Sequence, residues 1–187
     1  MTIKTLQLAA YLPRSRANGP GLRSVVWTQG CPFNCSGCFN PDFLSFSGGR
    51  IVSVSEIVDW ILTEEDTEGV SFSGGEPFSQ ASALAEVAER VHDAGKGVLI
   101  FTGFTSEALY KNTRIDIQRL LATTDLLVAG PYQRDKPCRH SLLASTNQEL
   151  IFLTQRYRTL DLGHRRMEFC ISVAGEVTVT GFPMLSS

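Results

Sequence analysis

Ser24-Val25-Val26-Trp27-Thr28-Gln29-Gly30-Cys31-Pro32-Phe33-Asn34-Cys35-Ser36-Gly37-Cys38 runs from a short apolar, β-branched segment straight into a Cys-x3-Cys-x2-Cys loop. The first part, 24–29, reads as a strand, and the cysteines as a loop delivered at its C-terminal end. In parallel α/β sheets that end is where ligands bind, so a chain built this way puts its chemistry at the loop. Three of the five cysteines of the chain fall in this one loop, 31–38. Thiolates gathered so tightly usually hold a metal.

The donor set narrows the choice of metal. Structural zinc closes with four ligands, typically as two separated cysteine pairs, whereas here a triplet stands without a second pair. Cys138 and Cys170 are distant in sequence, and neither belongs to another Cys-x-x-Cys. A 4Fe-4S cubane on three thiolates keeps one iron without a protein ligand, while electron carriers use four cysteines. An open iron is a place for a substrate.

Outward from the loop, apolar segments at 6–11, 69–73, 97–102 and 125–129 read as further strands. Ser53 and Glu56 have capping-box spacing ahead of a helix carrying Ile57, Trp60 and Ile61 on one face. After Ser79 a longer helix repeats Leu84, Val87, Ala88 and Val91 at i, i+3, i+4 and i+7, closing at Ala94-Gly95. Residues 106–110 and 115–122 read as helical pieces, 131–148 as a long polar loop, and 168–180 as a β-hairpin around Ala174-Gly175. Strand alternating with helix implies an α/β fold with a parallel sheet.

Composition sets outer bounds. A chain of 187 residues fits one domain, 1–187, with a real core. Nineteen acidic against 17 basic residues give a net charge of -2, so no global basic field argues for nucleic acid or an anionic membrane as partner. The first ten residues are interrupted by Lys4 and Gln7, and no later segment has the ~20 apolar residues of a spanning helix, so a cytoplasmic protein is expected. An odd number of cysteines with a metal-type triplet also suits a reducing compartment.

The motif and its flanks resemble a known family. Cys-x3-Cys-x2-Cys is the cluster motif of the radical S-adenosylmethionine (SAM) enzymes. Asn18-Gly19-Pro20-Gly21-Leu22-Arg23, Thr28-Gln29-Gly30-Cys31-Pro32 and Gly37-Cys38-Phe39-Asn40-Pro41 resemble the small activating proteins of glycyl radical enzymes, above all those of anaerobic ribonucleotide reductase. Ser73-Gly74-Gly75-Glu76-Pro77 looks like the family's SAM loop, and Thr102-Gly103-Phe104-Thr105 like its Thr-Gly-Tyr-Thr turn. The likeness spans residues 18–153.

The resemblance implies a partial (β/α)6 barrel, open on one side, with the cluster at the C-terminal edge of the strands. It implies that Cys31, Cys35 and Cys38 each bind one iron, and that the fourth iron chelates the amino and carboxylate groups of SAM. Gly74, Gly75, Glu76 and Pro77, with Phe39, Asn40 and Thr102, would bind SAM. Glycines let backbone approach a ligand closely, Glu76 offers an acceptor to the SAM amino group, and Pro77 stops the strand. Reductive cleavage would yield methionine and a 5'-deoxyadenosyl radical that takes a hydrogen atom from a glycine of a partner enzyme. A reduced flavodoxin- or ferredoxin-type protein would donate the electron.

Two further readings stay open on the residues: radical SAM modification of a peptide or small metabolite, and a non-catalytic iron-sulfur or zinc protein that senses redox state. Gly37 stands where many radical SAM enzymes carry an aromatic residue, and Ala129 where related activators often carry aspartate. Phe33 and Phe39 either shield the cluster or pack the loop. Arg23 reads as an exposed arginine, with approach to an anion near the cluster as the sharper alternative. Cys170 reads as core, His92 as a partner of its helix dipole, and His164 as solvated.

Overall fold

The computed structural model describes residues 3–162, 166–171, 173–175 and 177–182, so His164 lies outside the described residues. In chain order the elements are β1 (Thr5–Ser15), β2 (Arg23–Thr28), β3 (Arg50–Ser53), α1 (Val54–Thr63), β4 (Gly69–Gly74), α2 (Ala81–Asp93) and β5 (Gly97–Thr102). They continue with α3 (Ser106–Tyr110), α4 (Ile115–Ala122), β6 (Leu126–Ala129), β7 (Glu149–Phe152), β8 (Met167–Ile171) and β9 (Val177–Gly181).

Seven strands form one sheet in the order β3-β1-β2-β4-β5-β6-β7. The centre, β2-β4-β5-β6, is parallel, and its strands are the apolar runs expected of a sheet buried on both faces. Antiparallel strands flank it, β1 and β3 on one side and β7 on the other. The fold is thus α/β with a parallel-rich sheet. The first strand is longer than the apolar run at 6–11, and β3 and β7 were not expected at all. Both are four-residue edge strands that begin on a charged residue, Arg50 or Glu149, and neither shows a period-two alternation.

The alternation of side chains along the strands separates two layers. Val98, Ile100, Phe72 and Leu127 face α1, α2 and α4, packing on Ile57, Leu84, Val87 and Leu120. Leu99, Leu126 and Val128 face the other way, under Leu142 and Tyr157. The Ser53 hydroxyl caps α1 by accepting the Glu56 N–H at 3.2 Å, as the spacing predicts.

No helix lies on the second face of the sheet among the described residues; irregular chain and the β8-β9 pair cover it. Residues 131–148 hold one isolated bridge, Pro137 to Ser145. Gln148 anchors the loop by donating to the Gly130 carbonyl at 2.9 Å and accepting the Ala144 N–H at 2.8 Å.

β8 and β9 pair antiparallel, Phe169 opposite Val179. Their polar side chains face the body: the Glu168 carboxylate accepts from the Ser15 hydroxyl and from the Arg16 N–H at 2.8 Å, and the Asn18 amide donates to Thr180 at 2.8 Å. Phe169, Ile171, Val177 and Val179 are exposed. Cys170 is therefore half-buried on the polar side, not core as its apolar neighbours suggested. Period-two alternation says which residues share a face, and Glu168 decides which face is inward.

Candidate functional site

The central register aligns the ends of four strands. Thr28 pairs with Gly74, and Thr102 with Ala129. The loops that follow, starting at Gln29, Gly75, Gly103 and Gly130, therefore converge on one edge. They line a cavity of about 140 Å³ that includes Cys31, Cys35 and Cys38 from the first loop and Gly74, Gly75 and Glu76 from the second. Phe39, Asn40 and Thr102 face the same cavity. Pro77 lies buried just behind, opening a short 3-10 turn over Pro77–Gln80.

The cysteine loop is closed on itself. The Gly30 and Cys31 N–H groups donate to the carbonyls of Phe43 and Leu44, each at 2.9 Å. The Gln29 amide donates to the Ser45 carbonyl at 2.7 Å. The three thiols are half-buried. Burial pushes the Cys31 thiol up to about 11, with Glu76 and the other two sulfurs adding to the push. Burial also raises Cys35, while the backbone of Tyr132 pulls it down. A positive metal group reverses such shifts by holding thiolates outright. Among the described residues no three ligating side chains converge on a single ion. Cys31, Cys35 and Cys38 line one cavity, and a cubane takes each thiolate on a different iron.

The glycine loop is a cradle. A Cβ on Gly75 would overlap the Gly30 carbonyl oxygen, the acceptor of the Glu76 N–H at 2.9 Å. Asn40 bridges the two loops, its side-chain amide 3.5 Å from the Gly74 carbonyl and its N–H 3.4 Å from the Cys38 sulfur. Glu76 is buried, and its carboxylate is largely committed. Oε1 accepts the Phe78 N–H at 2.9 Å and the Thr102 hydroxyl at 2.8 Å, and Oε2 accepts the Gly103 N–H at 2.8 Å. Of about four acceptor positions on a carboxylate, one is unclaimed. Burial raises Glu76 to about 7, against the lowering pull of those three donors. Thr102 thus orients Glu76.

Phe33 packs edge-on against Phe104, centroids 4.9 Å apart, and Phe39 lies between Tyr132 and Phe182. Arg23 corrects its reading. It is fully buried, paired with Gly69 at the N-terminal end of the strands, five residues of strand from Thr28. Its guanidinium donates to Ser71, Pro20, Tyr157, Val70 and Gly97. It locks the Asn-Gly-Pro-Gly lead-in to the sheet at the end remote from the cysteines. Sequence reasoning missed Tyr132 and Gln148 in the cavity wall; the one available signal was Gly130-Pro131 directly after a strand.

Beside this cavity lies a larger one of about 410 Å³, between β1, β2 and the β8-β9 pair, lined by Asn18, Trp27, Thr178 and Val179. The two share Phe39, Asn40, Ser73, Phe101 and Phe182.

The chain belongs to the 4Fe-4S single cluster domain family, whose model matches residues 17–151. An anaerobic ribonucleoside-triphosphate reductase-activating protein of Vibrio cholerae is 33% identical over 135 residues, 67% of this chain and 84% of that protein. The protein of the same name from Enterobacteria phage T4 is 25% identical over 148 residues, 74% of this chain and 88% of its own length. A pyruvate formate-lyase-activating enzyme of Clostridium pasteurianum is 31% identical over 116 residues, 59% of this chain but 46% of that enzyme. A crystal structure of QueE from Escherichia coli aligns with a TM-score of 0.42 at 15% identity, covering 54% of this chain and 53% of that one, too loose a likeness to carry argument. This chain is accordingly a radical SAM enzyme of the activating type, with a 4Fe-4S cluster and S-adenosylmethionine as its cofactors.

Proposed function

We propose that Cys31, Cys35 and Cys38 hold the 4Fe-4S cluster, and that Gly74, Gly75, Glu76 and Pro77, with Phe39, Asn40 and Thr102, form the SAM site. The observation that carries this reading is the shared cavity, which thiols following β2 and glycine backbone following β4 line together. The chemistry such a cluster supplies when bound is one-electron cleavage of the sulfonium carbon-sulfur bond, which yields a radical able to remove a hydrogen atom.

The protein residues supply placement and exclusion. Asn40 fixes the cysteine loop against the glycine loop, Glu76 keeps one acceptor position for a cationic amino group, and Phe33 with Phe104 closes one side against water. The hydrogen donor is a glycine of a partner protein, a glycyl radical enzyme, on which the radical is then stored. The adjoining cavity, at about 410 Å³ within the ~300–1,000 Å³ span of ligand sites, supports entry of a protein segment. The names of the relatives support the same partner class.

The sheet is read as a shortened form of a partial (β/α)6 barrel: four parallel strands with crossover helices on one face, the other face free of helices among the described residues. Residues 1–187 make one domain, placed in the cytoplasm, with neither nucleic acid nor membrane as partner. No described helix is long and apolar enough to cross a membrane.

The test is anaerobic. The protein is reconstituted with iron and sulfide, reduced with dithionite, given SAM, and assayed for 5'-deoxyadenosine beside a Cys35→Ala control. Deoxyadenosine from the native chain alone is the expected result. Intact SAM in a preparation holding its full cluster, with or without an anaerobic ribonucleotide reductase present, would sink the reading.

A further inference from the structure

Each turnover of the proposed reaction consumes one electron, and beyond the loop the sequence has only Cys138 and Cys170, so the chain carries no second cluster motif. The electron arrives from another molecule. Between Cys35 and Cys38, Ser36 and Gly37 are exposed, as are Pro32 and Asn34 between Cys31 and Cys35.

The segment after β6 is fitted to the turn at Ser36-Gly37. Tyr132 lines the same cavity as Cys35 and Cys38. The stem of Arg134 lies across Gly37: a Cβ there would stand 2.9 Å from its Cδ and 3.6 Å from its Cγ. Gly37 also has φ 75°, closed to most side chains. Together these explain why glycine stands here and not an aromatic residue.

The same segment carries charge outward. Arg134, Lys136 and Arg139 are exposed, against the single acid Asp135 between 131 and 148. None of the three cations enters a salt bridge among the described residues, as is also true of Arg16, Arg90, Arg158 and Arg166; what sets the three apart is that they fall within six consecutive residues. In a chain of net charge -2 this is a local reversal of sign. Ser36, Tyr132, Gln133, Arg134 and Asp135 line a surface hollow of about 470 Å³. The larger cavity assigned to the glycine segment is lined by Trp27 and β9 and shares no residue with this hollow.

We infer that the exposed basic segment 134–139, which meets the cysteine turn at Arg134, is the docking surface for an acidic one-electron carrier protein. This rests on the assignment of Cys31, Cys35 and Cys38 to the cluster. In the step served, the carrier loses one electron and the cluster gains it; no covalent bond forms or breaks. Complementary charge steers such an encounter and makes it salt-dependent.

The test keeps Arg134, whose stem supports the loop, and reverses the other two charges. Oxidised flavodoxin and oxidised ferredoxin, both acidic, are titrated separately into reconstituted native protein and into Lys136→Glu/Arg139→Glu by calorimetry, at ~50 and ~300 mM salt. The native chain is expected to bind at least one carrier at low salt, and the double variant to bind it about tenfold more weakly or less. Deoxyadenosine formation driven by dithionite, which needs no docking, is expected to stay at the native level, while formation driven by that reduced carrier slows. Binding that is absent in the native chain, or equal in both proteins, overturns the inference. Failure of dithionite-driven cleavage in the native chain would instead count against the proposed function, and the binding arm would still judge the surface.

Discussion

Glu76 is a carboxylate that the fold has emptied of water and then tied to two loops. Because burial raises it from 4.5 to about 7, the native state keeps a proton that the unfolded chain has released between those values. Its contribution is therefore fully present below about pH 4.5 and is lost as pH rises through 7. Urea unfolding of the metal-free protein is expected to show stability falling by on the order of 1 kcal/mol per pH unit across this window relative to Glu76→Gln. Half-buried His140, lowered by its burial, slopes the opposite way, so the comparison must be the difference between the two proteins. A flat difference would mean that the three donors outweigh burial. Arg23 poses the converse case, a buried cation whose five donors all meet neutral acceptors. Lysine has three donors, so Arg23→Lys orphans at least two buried acceptors and should cost about 2–5 kcal/mol in denaturant unfolding. SAM cleavage per folded molecule should survive, since Arg23 lies about 17 Å of strand from the cysteine loop. Loss of cleavage at unchanged stability would contradict that separation.

At the level of elements, the β8-β9 pair is held by polar contacts. Glu168→Ala removes the acceptor for Ser15, Arg16 and Ala17. Amide exchange in β8 and β9 is then expected to quicken while β4 and β5 keep their protection; unchanged exchange there would mean that Asn18 and Thr180 suffice. This pair also marks where sequence reasoning thins. The parallel centre was legible because its strands are short, mostly apolar or β-branched runs, each followed closely by glycine or cysteine. The edge strands β3 and β7 were not, and the inward face of β8 depended on a carboxylate meeting a partner some 150 residues away. For the site, the cysteine triplet and the Gly-Gly-Glu-Pro loop were legible as words. That Glu76 bonds Thr102 and Gly103, and that Arg23 faces away from the cysteines, depends on register, which no local pattern encodes.

Among the described residues, the helices protect one face of the sheet while the working face is covered by chain without helices. This asymmetry has a consequence in time. The sheet is complete once Phe152 is in place, and the wall made by β8 and β9 comes about 30 residues later. On a ribosome adding ~5–20 residues per second, that interval lasts roughly 1.5–6 s. A nascent chain in this interval has the thiols of its first loop gathered before β8 and β9 can wall in the neighbouring space, and a bulky assembly factor would meet least obstruction then.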